Sequence, residues 1–352
     1  MSSIFENAIK TPGNWLLENG PNSDIVLSCR IRLARNLKNE LFPHYIKKEN
    51  SKKLKENLKK IISNCASLNN SEFYEMSDIT HSQKMLLLER HLISKELAEK
   101  EFGMLAVSSD EKLSIMVNEE DHLRLQAFGS GLQLSEVWEK INKLDDELAE
   151  QVEFAYSEKY GFLTACPTNV GTGMRCSILV HLPGIILINQ LKSIHKAIEK
   201  LGLTIRGYYG EGSEAIGNFF QISNQITLGL SEEQIIDKIN NIGKKIVEHE
   251  ENARKVLLQE SKIRLEDQIY RALGILKNAR IISTNETMSL LSFIRLAVDL
   301  KIIKDITIST LNKILVFLQP SHLQKIANKK LSPKKHDFIH AKIIHEKFSN
   351  TN

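Results

Sequence analysis

The sequence predicts an α+β protein, a largely antiparallel sheet flanked by helices, followed by an all-α C-terminal part. Three observations carry that expectation. Up to about Gln259, strand-like and helix-like runs share the chain without the strict alternation of a doubly wound parallel sheet. Both tryptophans, most glycines and most aromatic residues lie in that same part. Beyond residue 230 the chain is punctuated by helix starts: Ser231 with Gln234, Ser283 with Glu286, and Ser332 before Pro333.

In chain order, DIVLSCRIRLA from Asp24 reads as a strand with polar punctuation, and MLAVSSDEKLSIMVNEED from Met104 as a hairpin. GIILINQ from Gly184 and NFFQISNQITLG from Asn218 read as further strands. Ile235, Ile236, Ile239 and Ile242 keep helical spacing after the Ser231 start, as do Met288, Leu291 and Ile294 after Ser283. There is no internal repeat and no long low-complexity linker.

A chain of 352 residues with 42% apolar side chains has room for two domains and a sizeable core. Its 47 basic and 43 acidic residues nearly cancel, so nothing global calls for nucleic acid or an anionic membrane, and an anion site must be local. Cys29, Cys65, Cys166 and Cys176 form no CxxC pair, and the start carries Glu6 and Lys10 rather than a signal sequence. The apolar run around Ile185 is broken by Pro183, Gly184 and Asn189 and is too short to span a bilayer. A soluble protein of a reducing cytoplasm is expected.

Four motifs can carry chemistry. CPTNVGTGMR, Cys166 to Arg175, joins a thiol, backbone donors around Gly171 and Gly173, and a guanidinium; it suits a phosphate, and equally a plain glycine turn. In SCRIR, Arg30 and Arg32 alternate on a strand and share a face, either a solvated basic edge or a pair with an anion between them. NEEDHLR places Glu119, Glu120 and Asp121 ahead of Arg124, a solvated turn or a carboxylate site that can orient and deprotonate a guanidinium. RGYYGEGSE supplies Arg206 and, between Gly210 and Gly212, Glu211. His91 in ERHLIS is a less distinct candidate. The chain has neither a Walker A loop nor the HRD and DFG pair of protein kinases.

Taken in order, SCRIRLAR, NEEDHLR, CPTNVGTGMR and RGYYGEGSE resemble the ATP:guanido phosphotransferases, the creatine and arginine kinase family, over about Asp24 to Arg254. The resemblance implies the phosphagen kinase fold, a glutamine-synthetase-like antiparallel sheet, and a division into a catalytic domain, 1–254, and a C-terminal dimerisation or regulatory domain, 255–352. It implies an ATP site over Ser28, Cys29, Arg30, Ile31, Arg32, His91 and Arg124. That site continues through Arg175, Cys176, Ser177, Ile178 and Leu179, and through Arg206, Gly207, Tyr208, Tyr209, Gly210 and Glu211. Glu120 and Glu211 would grip the acceptor guanidinium and serve as base. Cys166 would lie beside it, as a thiolate favoured by the neighbouring positive charges. Magnesium would be held mainly by phosphates and water, with no dedicated protein metal site.

The small-molecule members carry a helical domain ahead of the first motif, whereas here SCRIR begins at Ser28 and a helical extension follows the catalytic part. That arrangement resembles the bacterial protein-arginine kinases (McsB). It implies protein substrates with exposed arginines, phosphoarginine as a mark for Clp-type proteolysis and stress-regulator control, an activator protein and a homodimer. A free-arginine kinase and a non-catalytic adaptor are the alternatives. The allosteric phosphoarginine motif of those kinases, RDxxRA, corresponds here to HDFIHA, with His336 and His340 for both arginines and Asp337 and Ala341 retained. Imidazoles lack the permanent charge and planar fork of arginine, so feedback should be weakened. The two histidines stand one helical turn apart, on a solvated face or as a metal pair.

Overall fold

The computed structural model describes residues 4–17, 20–207, 216–328 and 331–349. Its strands are β1 (Val26–Arg35), β2 (Glu72–Glu75), β3 (Met104–Val107), β4 (Leu113–Val117), β5 (Leu123–Ser130), β6 (Tyr156–Ser157), β7 (Gly161–Phe162), β8 (Met174–His181), β9 (Leu203–Gly207) and β10 (Phe219–Asn224). Eight of them form one sheet in the order β2-β3-β4-β5-β1-β8-β10-β9, and β6 pairs with β7 apart from it. Every pairing in the large sheet is antiparallel. The expected fold class and the 104–121 hairpin are both present.

Alternation along β1 divides the sheet into two faces. Cys29, Ile31 and Leu33 enter a core with Leu54 and Leu58 of helix Lys48–Ser63, Val137, Ile141 and Leu144 of helix Leu134–Ala149, and Ile235, Ile239 and Ile246 of helix Glu232–Glu260. Burying each such aliphatic side chain is worth roughly 1.5–3 kcal/mol, which holds the helices on this face and leaves the other for Ser28, Arg30 and Arg32.

The predicted helix starts are met: Ser231 and Gln234 form both halves of a capping box, Ser283 accepts from the Glu286 amide, and Pro333 opens the last helix. One strand assignment is corrected. GIILINQ begins as the short helix Pro183–Leu187, with proline in its first turn and the Glu250 carboxylate accepting from the Gly184 and Ile185 amides at 2.9 Å each. A buried carboxylate at a helix N-terminus meets donors that a strand would have sent to a neighbour. The other run, from Asn218, is strand only to Asn224.

Helix Glu232–Glu260 runs unbroken through residue 254, and the turn is at Ser261. Helices Lys262–Asn278, Thr284–Asp299, Ile308–Phe317, Pro320–Ala327 and Pro333–Ser349 then build a second core around Ile269, Leu291, Ile294 and Leu311. Leu27 and Phe219 of the sheet belong to that second core. His181 and Ser292 meet across the boundary at 2.8 Å, as do Arg254 and Asp299 at 3.5 Å. Among the described residues no helix is long and apolar enough to cross a membrane.

At the end of β1 the buried Arg35 holds Asp145 through Nε and Nη2 and donates Nη1 to the carbonyls of Ala34 and Thr172, with its guanidinium 3.5 Å from the centre of the Phe162 ring. Asp145→Ala leaves that cation buried without its counter-charge. The variant should lose about 3–5 kcal/mol of stability, read as a lower urea midpoint with an unchanged slope.

Candidate active site

The polar face of five neighbouring strands forms the floor of a cleft of about 1210 Å³. The pairing register sets which side chains share it: Arg30 opposes Phe128 of β5 and Ser177 of β8, Arg32 opposes Gln126 and Arg175, and Ala34 opposes Arg124. Farther out, Ser223 and Gln221 of β10 continue the face to Arg206 of β9. Ser28, Arg30, Arg32, His91, Arg124, Arg175, Ser177, Leu179 and Arg206 all line the cleft.

Arg32 and Arg175 are thus like charges directly across a strand pair, an arrangement that costs stability without a counterion. Burial, then Arg175 and Arg124, push the Arg30 guanidinium down to about 10. Arg32 is held well below its ordinary value by burial and by Arg30, Arg124 and Arg175, against the opposing pull of Glu119. Among the described residues its buried Nε finds no hydrogen-bond partner. Several guanidiniums facing one space, one with an orphaned donor, fit a polyphosphate, whose oxygens would satisfy the donors and remove the repulsion. Phe128 adds a π-face 5.7 Å from the Arg30 guanidinium.

At the end of this face the β4–β5 turn brings carboxylates to Arg124: Nη1 donates to Glu119 at 2.7 Å and Nη2 to Glu120 at 3.1 Å. Glu119 is fully buried, while the Glu120 side chain keeps 30% of its exposure and opens on the cleft. Asp121, also buried, accepts from the Asn36 side chain at 2.6 Å and the Ala165 amide at 2.7 Å, tying the acidic turn to the residue before Cys166. His122 accepts the Leu37 amide at Nδ1 and meets the Leu41 carbonyl at Nε2. NEEDHLR is therefore a braced turn, not a solvated one.

The loop CPTNVGTGMR needs its glycines for a different reason from the one expected. Gly171 and Gly173 have φ of 113° and 64°, and a Cβ would come within 2.2 Å of the Thr227 carbonyl oxygen at the first and 2.6 Å of the Ala34 carbonyl oxygen at the second. The chain's own backbone crowds these positions. Three amides of the loop are likewise committed inside the fold: Gly171 donates to Phe162, Thr172 to Thr227, and Met174 to the Thr172 hydroxyl. The loop also reaches the cleft. It delivers Arg175 and the half-buried Cys166, whose Sγ lies 3.0 Å from the Thr168 hydroxyl, to the cleft wall.

Other expectations are corrected by the pleat. The side chains of Cys29, Ile31, Cys176 and Ile178 point into the hydrophobic core, so at the cleft they have only backbone to offer. Burial drives both thiols up, Cys29 to about 12. Tyr208, Tyr209, Gly210 and Glu211 lie outside the described residues, and Gly207 ends β9 beside them. In the last helix, His340 and Ala341 are core residues rather than a solvated face, with His340 Nε2 2.6 Å from the Leu318 carbonyl. His336 and Asp337 are half-buried, and the Asp337 carbonyl accepts from the Ile282 amide. Among the described residues no group of three or more His, Cys, Asp or Glu gathers as a metal site. Sequence reasoning passed over Trp15 and Phe128, and names Glu119 only as one acid of the turn, with no role of its own. The aromatic residues carry no local motif, and the role of Glu119 shows only once Arg124 is seen to fork across both glutamates.

His91 sits beside Arg30 and Arg32, and burial together with these charges lowers its pKa to about 4. Between pH 6.5 and 4 the unfolded chain takes up a proton at this position that the native chain refuses, so His91 withdraws stability as the pH falls through that window. The expected loss is on the order of 1–2 kcal/mol at pH 5. His91→Asn, which tolerates the positive φ of 59° at this position, should lose less stability than the parent between pH 7 and pH 5, read from urea midpoints.

Comparison with known proteins agrees with this geometry. Residues 53–253 match the family model for the ATP:guanido phosphotransferase C-terminal catalytic domain, and residues 262–352 the protein-arginine kinase McsB C-terminal domain. Protein-arginine kinase of Bacillus pumilus is 46% identical over 95% of this chain and 92% of its own length, and that of Pelotomaculum thermopropionicum 45% identical over 99% of both. Among solved structures, lombricine kinase superposes with a TM-score of 0.59 at 23% identity, covering 68% of this chain and 70% of that one. A duplicated taurocyamine kinase from Schistosoma mansoni gives 0.61 at 19% identity, covering 82% of this chain and 49% of that one. These two share the fold. The chain belongs to the ATP:guanido phosphotransferase family, on its protein-arginine kinase branch.

Proposed function

We propose that this protein transfers the γ-phosphoryl group of ATP to the guanidinium of arginine side chains on other proteins. The observation that carries the reading is the sheet face on which Arg30, Arg32, Arg124 and Arg175 meet, ending at the carboxylates of Glu119 and Glu120. Cations at one end suit the polyphosphate, and acids at the other suit a cationic acceptor. In this reading the arginines, with Arg206, neutralise and align the phosphates, Ser28 and His91 line the nucleotide, and magnesium held by phosphate oxygens and water adds charge neutralisation.

Glu120 and Glu211 orient the acceptor guanidinium and take its proton. The nitrogen then forms the new N–P bond in line as the P–O bond to the departing ADP breaks. Glu119, fixed by Arg124, keeps Glu120 at the cleft. Cys166 lies beside the acceptor. Near-full-length likeness to proteins named protein-arginine kinase, against fold-level likeness to kinases of small guanidino compounds, supports a protein acceptor over free arginine.

The same reading takes the C-terminal helices, from Ser261, as the dimerising part, in keeping with the exposed Ile263 and Tyr270 two turns apart on helix Lys262–Asn278. A cytoplasmic setting, an activator protein and hand-over of marked substrates to a Clp ATPase and protease belong to it as well. Glu120→Gln should lower phosphoarginine formation by at least about 100-fold and leave ADP binding nearly intact. The readouts are phosphosite mass spectrometry of an arginine-rich protein under non-acidic conditions and an ADP titration. Loss of ADP binding, or labelling of free arginine alone, would contradict the assignment.

A further inference from the structure

The wall of the cleft beside Arg30 is built from three aromatic rings. Trp15 stacks on Phe128 at 4.9 Å with 15° between planes and meets His91 edge-on at 6.3 Å, and all three line the cleft. None of these rings is held by the catalytic sheet alone. Trp15, Leu16 and Phe128 form a separate small core with Val316 and Phe317 of the C-terminal helices. The Asn312 side chain donates to the Leu16 carbonyl at 2.7 Å and accepts from Arg295, whose other Nη donates to the Ser23 carbonyl. The segment bearing Trp15 is thereby fastened at both ends to the C-terminal part.

A second fastening reaches His91. Glu89 accepts the Ser321 amide at 2.7 Å, the His322 amide at 3.2 Å and His322 Nδ1 at 2.9 Å, capping helix Pro320–Ala327 from a different part of the fold. The next residue, Arg90, is buried against Glu111 and the Thr11 carbonyl, with His322 Nε2 3.5 Å away. His91 follows in the left-handed region at φ 59°, its carbonyl accepting from Gln126 Nε2 at 2.9 Å. A non-glycine residue keeps that conformation only where its surroundings over-determine it. Here the surroundings include the fully buried His322.

We propose that the C-terminal helices set the aromatic wall of the nucleotide cleft, with Phe317 and His322 as positioning residues for Trp15 and His91. The inference rests on the cleft being the ATP site. It makes the C-terminal part a component of nucleotide binding, distinct from any role in dimerisation or recognition of phosphoarginine. Neither residue touches the reacting atoms, so their loss should weaken nucleotide binding and leave the chemical step almost alone.

The test uses the full chain carrying Trp138→Phe, so that Trp15 is the one remaining indole and reports ADP binding by its fluorescence. Phe317→Ala and His322→Ala should raise the ADP dissociation constant and the KM for ATP by roughly tenfold, with kcat and the KM for a protein substrate changed little. His322→Asn, whose amide can replace Nδ1 in donating to Glu89, should restore affinity. Should the alanine variants not fold, Phe317→Leu and Glu89→Gln carry the same test. Unchanged ADP affinity in folded variants, or a parallel fall in kcat with no change in either KM, overturns the inference. Failure of the parent chain itself to bind ADP overturns the proposed function instead, and the inference with it.

Discussion

Repulsion among guanidiniums on one sheet face is the constraint around which this molecule is organised. Arg32 stands across from Arg175, with Arg30 and Arg124 on the same face, and Arg124 holds the fully buried carboxylate of Glu119. Left without an anion, such a face works against the sheet that carries it. The opposite face supplies the compensation: its aliphatic side chains pack with three long helices into a single core, whose burial outweighs the electrostatic cost. Stability is thus concentrated on one side of the strands and binding capacity on the other.

Much of the remaining structure holds that face in position. Arg35, clamped by Asp145, reaches the Thr172 carbonyl and so anchors the loop that presents Arg175 and Cys166. Asp121 joins the acidic turn to the same loop through the Ala165 amide, fixing Glu120 relative to Cys166. These are buried, charge-assisted contacts, and they pre-organise side chains that have no reason of their own to stay together. The glycines of the loop serve this packing, allowing it to lie against the backbones of β1 and Thr227.

Legibility in the sequence followed how local each signal was. Alternation in SCRIR and the serine-initiated helix starts were readable because each is decided within a few residues. GIILINQ was misread because a short apolar run fits strand or helix alike, and what decides it is Glu250, more than sixty residues away. For Cys29, Ile31, Cys176 and Ile178 a contiguous motif does not tell which side chains face the cleft, because a pleated strand turns every second one to the core. Trp15 and Phe317 were beyond sequence reasoning. The small core they share joins an early segment of the chain to a late one, and no pattern near either residue announces it.

If the arginine face is the organising feature, its occupant should be recognised mainly by its phosphates. The most direct measurement is the thermal midpoint of the full chain with inorganic triphosphate, compared with adenosine at the same concentration. The account predicts that triphosphate raises the midpoint, that added salt erodes the effect, and that adenosine alone does little. A shift produced by adenosine and absent with triphosphate would contradict it.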